Sequence, residues 1–137
     1  MKHTIITLML SLILSGPVAQ SGALTNAVSL GQEFTLRPGK KVSVRGTKLK
    51  IRFVSVVEDS RCPKGVDCVW QGNAEARFEL SGIKRKASIM RLNTGIEPRE
   101  AEYSGYTVRL VKLTPEPKSG ERINAREYEA TLVVLKR

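Results

Sequence analysis

Apolar and charged residues alternate with a period of two over residues 74–80, the most clearly patterned segment of the chain. Ala74, Ala76, Phe78 and Leu80 share one phase, and Glu or Arg occupies the positions between them. Successive side chains of a β-strand point to opposite faces of a sheet, so this segment is predicted to be a strand with one buried face. Because no stretch shows a convincing helical period, a chain of this kind folds mainly by pairing strands.

Six further segments are typical of short strands. Residues 34–36 and 42–44 flank Pro38-Gly39, the dipeptide of a type II turn, and are predicted to pair as a hairpin. The others lie at residues 49–53, 88–92, 106–113 and 128–135. About seven strands predict an all-β fold in a single domain, either a β-sandwich (Ig-like) or a small barrel, over residues 32–137. We expect residues 24–31 to form a flexible N-terminal segment ahead of this domain.

The first 23 residues have the three parts of a secretory signal peptide. Lys2 provides the positive start, Ile5–Leu14 the apolar core, and small residues follow as far as Ala23. The apolar run is too short to span a bilayer, so no transmembrane segment is expected in the mature chain. Cleavage fits after Ala23, with Ala19 and Ala27 as alternatives. The protein is therefore predicted to be exported, either to the periplasm or as a secreted protein.

Cys62 and Cys68 are the only cysteines in the sequence. An oxidising compartment favours a disulfide between them, whereas a metal site would need more ligands than this pair provides. Closing so short a loop stabilises the fold by about 2 kcal/mol in the chain-entropy model. We therefore predict one local disulfide and no metal.

The single histidine, His3, lies inside the predicted signal peptide. A mature chain without histidine excludes Ser-His-Asp and Cys-His catalysis. Ser81–Lys84 matches the S-x-x-K motif of penicillin-binding serine enzymes, but the S-D-N and K-T-G motifs that accompany it there do not occur. We expect a non-catalytic protein without a cofactor. An enzyme that uses the carboxylates of Glu58 and Asp59 stays open as a hypothesis.

Unusual residues concentrate between Glu58 and Ala74, in the sequence EDSRCPKGVDCVWQGNA. This segment resembles the E-D-S-R-C-P-x-G-V-x-C-V-W-x-G-N-A motif of a family of small exported bacterial proteins of uncharacterised function. Similar proteins also end in a strand, a proline-containing loop and a final strand, as this chain does from Tyr106 onward. The resemblance implies a β fold and export, and it implies no chemistry.

The motif allows two interpretations. As a folding device, Trp70 would shield the disulfide and Arg61 would pair with Asp59 or Asp67. As a recognition element, a disulfide-tied loop would present Arg61, Lys64 and Trp70, residue types that are common in binding hot spots.

The chain carries a formal net charge of +10, and part of this charge is ordered along one predicted strand. Lys48, Lys50 and Arg52 alternate with apolar residues and form a cationic stripe. Exposed lysines keep sheet proteins soluble and protect strand edges. The same charge attracts anionic envelope polymers or lipid headgroups. Nucleic acid is not expected as a partner, because the protein is exported and no aromatic residues interleave the cations.

These observations predict an exported, non-catalytic binding or envelope-associated protein of unknown ligand. Its basic face is expected to contact anionic envelope material. The alternative is a protease-inhibitor-like protein that presents the loop from Cys62 to Cys68 to a secreted protein, because Arg61 and Lys64 suit a trypsin-like pocket.

Overall fold

A computed structural model describes residues 26–137, and the predicted signal peptide lies outside this range. Nine strands and no helix occur in the described range. The strands are β1 (Ala27–Val28), β2 (Glu33–Leu36), β3 (Lys41–Val44), β4 (Lys50–Asp59), β5 (Ala74–Ser81), β6 (Ser88–Asn93), β7 (Glu100–Tyr103), β8 (Tyr106–Thr114) and β9 (Glu129–Lys136). Two sheets and a disulfide confirm the predicted all-β, sandwich-like fold. None of these residues belongs to a helix long and apolar enough to cross a membrane.

The strands form one sheet in the order β1-β3-β4-β5-β6 and a second in the order β2-β9-β8-β7. Neighbours are antiparallel except β1 and β3, which are parallel. Because antiparallel neighbours reverse direction, the connections alternate between two ends of the sandwich. The β3–β4, β5–β6 and β7–β8 connections lie at one end, and the β4–β5, β6–β7 and β8–β9 connections lie at the other.

The core lies between the two inner faces. Every second side chain of β5 is buried, as the alternation over residues 74–80 predicts. The rings of Phe53 and Phe78 stack with their centroids 5.0 Å apart, and Leu132 of the second sheet belongs to the same apolar cluster. Burying each of these large side chains stabilises the fold by about 2 kcal/mol. β9 lies between β2 and β8, at the centre of its sheet.

The hairpin predicted between residues 34–36 and 42–44 is wrong, although its turn forms. The Lys40 N–H donates to the Arg37 carbonyl at 3.0 Å, and Gly39 has a φ of 81°. However, β2 pairs with β9, and β3 pairs with β4. The turn carries the chain from one sheet to the other, because β2 pairs with β9 at the far end of the sequence and β3 pairs with β4, the strand that follows it.

Two short strands account for the difference between about seven predicted strands and nine observed ones. β1 lies within the segment 24–31 that we expected to be flexible. The Arg45 N–H donates to the Val28 carbonyl at 2.8 Å, and the Gly31 N–H donates to the Val134 carbonyl at 2.8 Å. A strand of two residues shows no period, and β7, with four residues, shows little more.

Candidate functional site

Six exposed cationic side chains gather at the end of the sandwich that holds the β3–β4 and β5–β6 connections. They are Arg45, Lys48, Lys50, Lys84, Arg85 and Lys86. The first two lie in the β3–β4 turn, the third begins β4, and the last three lie in the β5–β6 loop. We call this cluster the basic end.

A close backbone approach at Gly82 joins the two connections. A Cβ atom on Gly82 would lie 1.9 Å from the carbonyl oxygen of Lys48 and 3.8 Å from Cγ of Lys50. Its φ of +94° is also a conformation that residues with a side chain rarely adopt. Glycine therefore lets the β5–β6 loop lie directly against the β3–β4 turn.

Hydrogen bonds order the β3–β4 turn. The Thr47 hydroxyl donates to the Val44 carbonyl at 2.9 Å and accepts from the Leu49 N–H at 3.0 Å. The Val44 N–H in turn donates to the Leu49 carbonyl at 2.9 Å. These bonds close the turn on both sides and fix the backbone that carries Lys48.

Tyr103 contacts the start of the β5–β6 loop. The ammonium of Lys84 lies 5.0 Å from the centroid of the buried Tyr103 ring, within the range of a cation–π interaction. The Lys84 N–H also donates to the tyrosine hydroxyl at 3.4 Å. This contact ties the β5–β6 loop of the first sheet to β7 of the second.

Ion pairing distinguishes the six cations of the basic end from several cations on the sheet faces. On the faces, Arg52 meets Glu79 at 3.3 Å and Arg91 meets Glu75 at 3.0 Å across neighbouring strands, whereas Lys41 and Arg77 form no ion pair within residues 26–137. Over residues 26–137, no cation of the basic end forms an ion pair. Uncompensated like charges on one surface sum to a positive potential that attracts anions.

The predicted cationic stripe divides between these two environments. Lys48 and Lys50 belong to the basic end, whereas Arg52 lies opposite Glu79 in the register of β4 and β5 and pairs with it. Lys41 of β3 lies on the other side of Arg52. Arg52 thus contributes less to the positive potential than its place in the stripe predicts.

The run Lys84–Lys86 was not among the site residues predicted from the sequence. A signal for it was available, because β4 and β5 are consecutive antiparallel strands. The turn that precedes the first of two such strands and the loop that follows the second lie at the same end of the sheet. Lys84–Lys86 could therefore have been predicted to lie at the same end of the sheet as Lys48 and Lys50.

The motif residues form the opposite end of the sandwich, which we call the disulfide end. Here β4 and β5 continue as an irregular hairpin: the Ser60 N–H donates to the Asn73 carbonyl at 2.7 Å, and the Cys62 N–H donates to the Gln71 carbonyl at 2.8 Å. A Cβ atom on Gly72 would lie 2.0 Å from the Ser60 carbonyl oxygen. These contacts fit the folding interpretation of the motif.

Arg61 is engaged within the disulfide end. Its guanidinium donates to both carboxylate oxygens of Asp59, at 2.8 and 2.6 Å, and to the carbonyl oxygens of Leu113 and Pro115, at 2.6 and 2.9 Å. The side chains of Arg61 and Asp59 are only 12% and 11% exposed. Of the two partners considered for Arg61, Asp59 is the one observed.

Tyr128 completes this network, because its hydroxyl donates to Asp59 at 2.9 Å. Burial raises the pKa of Asp59, but hydrogen bonds from Arg61 and Tyr128 and the charge of Arg61 outweigh it, so the pKa lies below the ordinary 3.8. Burial and the adjacent Asp59 raise the pKa of Tyr128 to about 12. A carboxylate held ionised in this way is a poor general acid.

The disulfide between Cys62 and Cys68 forms as predicted and closes an exposed loop. Lys64 and Trp70 are both exposed, the latter to 56%, so the ring is open to solvent. Lys64 lies in a turn closed by a 3.2 Å hydrogen bond from the Val66 N–H, and its own N–H donates to the Pro117 carbonyl. The protease-inhibitor hypothesis stays a prediction, and this turn does not favour it, because a protease binds an extended backbone.

A groove of about 400 Å³ also opens at the disulfide end. It lies between the disulfide loop, the β6–β7 connection and β8. Lys64 and Lys112 bring positive charge to its wall and Glu116 brings negative charge. The groove thus lacks the uniform charge of the basic end.

Comparison of the chain with protein-family models gives no match, and searches of curated proteins and of solved structures give none either.

Proposed function

We propose that this protein is an exported, non-catalytic, envelope-associated protein that binds anionic envelope material through its basic end. The observation that carries the proposal is the convergence of six exposed, unpaired cations from two connections that meet at Gly82. Export is inferred from the signal-like residues 1–23 and is compatible with the disulfide.

The placement of the charges favours binding over solubility alone. Cations that only keep a protein soluble are expected to be mixed with carboxylates over the whole surface. On the sheet faces several cations are so mixed, as the pairs of Arg52, Arg91 and Arg109 with glutamates show. At the basic end six cations lie on two connections without an ion pair in the described range, and the close approach at Gly82 holds the two connections against each other.

Such a site binds by summed Coulomb attraction. Each exposed cation interacts weakly with an anion in water, and screening acts over about 8 Å at physiological ionic strength. Several cations held close together therefore act jointly on a polyanion, and affinity should fall steeply as salt is added.

Two variants of equal net charge test the proposal. The first replaces four of the six basic-end cations by glutamine, namely Lys48, Lys50, Arg85 and Lys86. It keeps Arg45 and also Lys84, which contacts Tyr103. The second replaces four exposed cations at the disulfide end: Lys64, Lys112, Arg122 and Arg126. Binding to immobilised polyphosphate at physiological ionic strength should weaken by about tenfold or more in the first variant and much less in the second.

The paired design separates a localised site from a general effect of charge. An equal loss of affinity in both variants would reduce the interaction to net charge and contradict the proposal. Unchanged binding in the first variant would contradict it as well. Circular dichroism checks that both variants keep the β fold.

A further inference from the structure

Two exposed isoleucines lie in the hairpin formed by β5 and β6, one on each side of the run Lys84–Lys86. Ile83, 38% exposed, directly precedes Lys84. Ile89, 57% exposed, is the second residue of β6 and lies opposite Glu79 of β5. An exposed branched apolar side chain is normal on its own, but here two of them flank three consecutive cations.

We infer that the anionic partner of the basic end is the surface of a phospholipid bilayer. This inference rests on the proposed function and names its partner. The cations would lie at the level of anionic headgroups, while Ile83 and Ile89 enter the boundary between headgroups and acyl chains. Cations beside exposed apolar side chains are the combination that binds proteins to such interfaces.

The isoleucines distinguish a bilayer from a soluble polymer. A polyphosphate or an acidic polysaccharide offers charge but no apolar phase, so Ile83 and Ile89 would gain little from it. A bilayer offers both, and each basic residue near an anionic membrane strengthens binding by about fivefold. The cation–π contact of Lys84 with Tyr103 holds the start of this loop against the sandwich, so the isoleucine next to it is presented from an ordered position.

Membrane binding through the basic end also implies that the disulfide end stays away from the membrane, although Val69 and Trp70 are exposed there. Trp70, the only tryptophan, lies in the β4–β5 connection at the disulfide end. With the basic end on the bilayer, Trp70 remains in water on the far side of the sandwich. The protein therefore carries a natural fluorescent probe of its orientation.

Vesicle binding of matched apolar variants tests the inference. The test variant combines Ile83→Ser with Ile89→Ser, and the control combines Val57→Ser with Ile96→Ser, two residues of similar exposure outside the basic hairpin. Partitioning onto vesicles of phosphatidylglycerol and phosphatidylcholine should fall by about tenfold in the test variant and by less than about twofold in the control. Polyphosphate binding should change by less than about twofold in both.

The outcomes separate this inference from the proposed function. If the test variant binds vesicles as tightly as the wild type, or loses polyphosphate binding to the same degree, the bilayer inference is wrong and the charge-based function stands. If the wild type binds neither vesicles nor polyphosphate in a salt-sensitive way, the proposed function itself is wrong.

Fluorescence quenching provides a measurement that does not depend on the serine variants. Lipids with brominated acyl chains should leave Trp70 of the wild type unquenched when the protein is bound to vesicles. They should quench the tryptophan of an Ile83→Trp protein in a Trp70→Phe background. Quenching of Trp70, or no quenching at position 83, would overturn the inferred orientation.

Discussion

At the scale of single residues, Arg61 is held inside the fold instead of being offered at the surface. Its guanidinium joins Asp59 of β4 to the backbone carbonyls of Leu113 and Pro115. One side chain thus ties the end of β4 to the end of β8 and to the loop that follows it. Arginine is common in binding hot spots, but the residue type does not predict exposure. The guanidinium N–H groups that would bind a partner can equally donate to carbonyl oxygens within the fold.

Replacing Arg61 by alanine should destabilise the protein by about 3 kcal/mol, because it leaves the buried carboxylate of Asp59 without its counter-ion. The control is Arg91→Ala, which breaks the exposed pair with Glu75 and should change the free energy of unfolding by less than about 1 kcal/mol. Urea unfolding measures both values. Similar values for the two variants would show that the Arg61 network contributes no more to the free energy of unfolding than an exposed ion pair does.

Tyr128 should make stability depend on alkaline pH. An unfolded tyrosine ionises near pH 10, whereas the pKa of Tyr128 in the fold is about 12. The unfolded state therefore releases this proton first, so the stabilisation is complete below pH 10 and is lost as pH rises through about 12. From about pH 9 to 12, the wild type should lose more stability than Tyr128→Phe. Tyr106→Phe serves as the control and should follow the wild type.

At the scale of elements, loop contacts decide where the charges lie. The β5–β6 loop reaches the β3–β4 turn only because Gly82 has no side chain. Similarly, the turn at Pro38-Gly39 forms from local chemistry, but the strands beside it join different sheets. Local sequence determines the turn, but it does not determine which strands the two flanking segments pair with.

Gly82→Ala should therefore destabilise the protein more than the same substitution at another glycine with a positive φ. Its Cβ would overlap the Lys48 carbonyl oxygen, and we expect a loss of about 3 kcal/mol in stability. Gly46→Ala, with a φ of +72° and no atom within 4 Å of the added Cβ, should cost only about 1 kcal/mol. Denaturant unfolding measures both losses, and polyphosphate binding should weaken only in the Gly82 variant. Equal stability losses would show that the close approach matters little.

At the scale of the whole molecule, the sandwich has two different ends. The basic end carries six unpaired cations and two exposed isoleucines beside them. The disulfide end is braced by a covalent bond, by the Arg61 network and by the contact of Lys64 with Pro117. A molecule built in this way can present its basic end to a charged surface while the opposite end faces the solvent.

Local sequence was sufficient to predict seven of the nine strands and the pairing of the two cysteines. The strands depend on neighbours within a few residues. The disulfide has only one possible pairing, because the chain contains two cysteines. Alternation with a period of two identifies a strand and its buried face, but it does not name the partner strand. Long-range packing determined that β2 and β3 separate, that Arg61 pairs with Asp59 while it bonds to the end of β8, and that Arg52 pairs with Glu79. These outcomes depend on contacts between residues far apart in the chain, and no local pattern specifies such contacts.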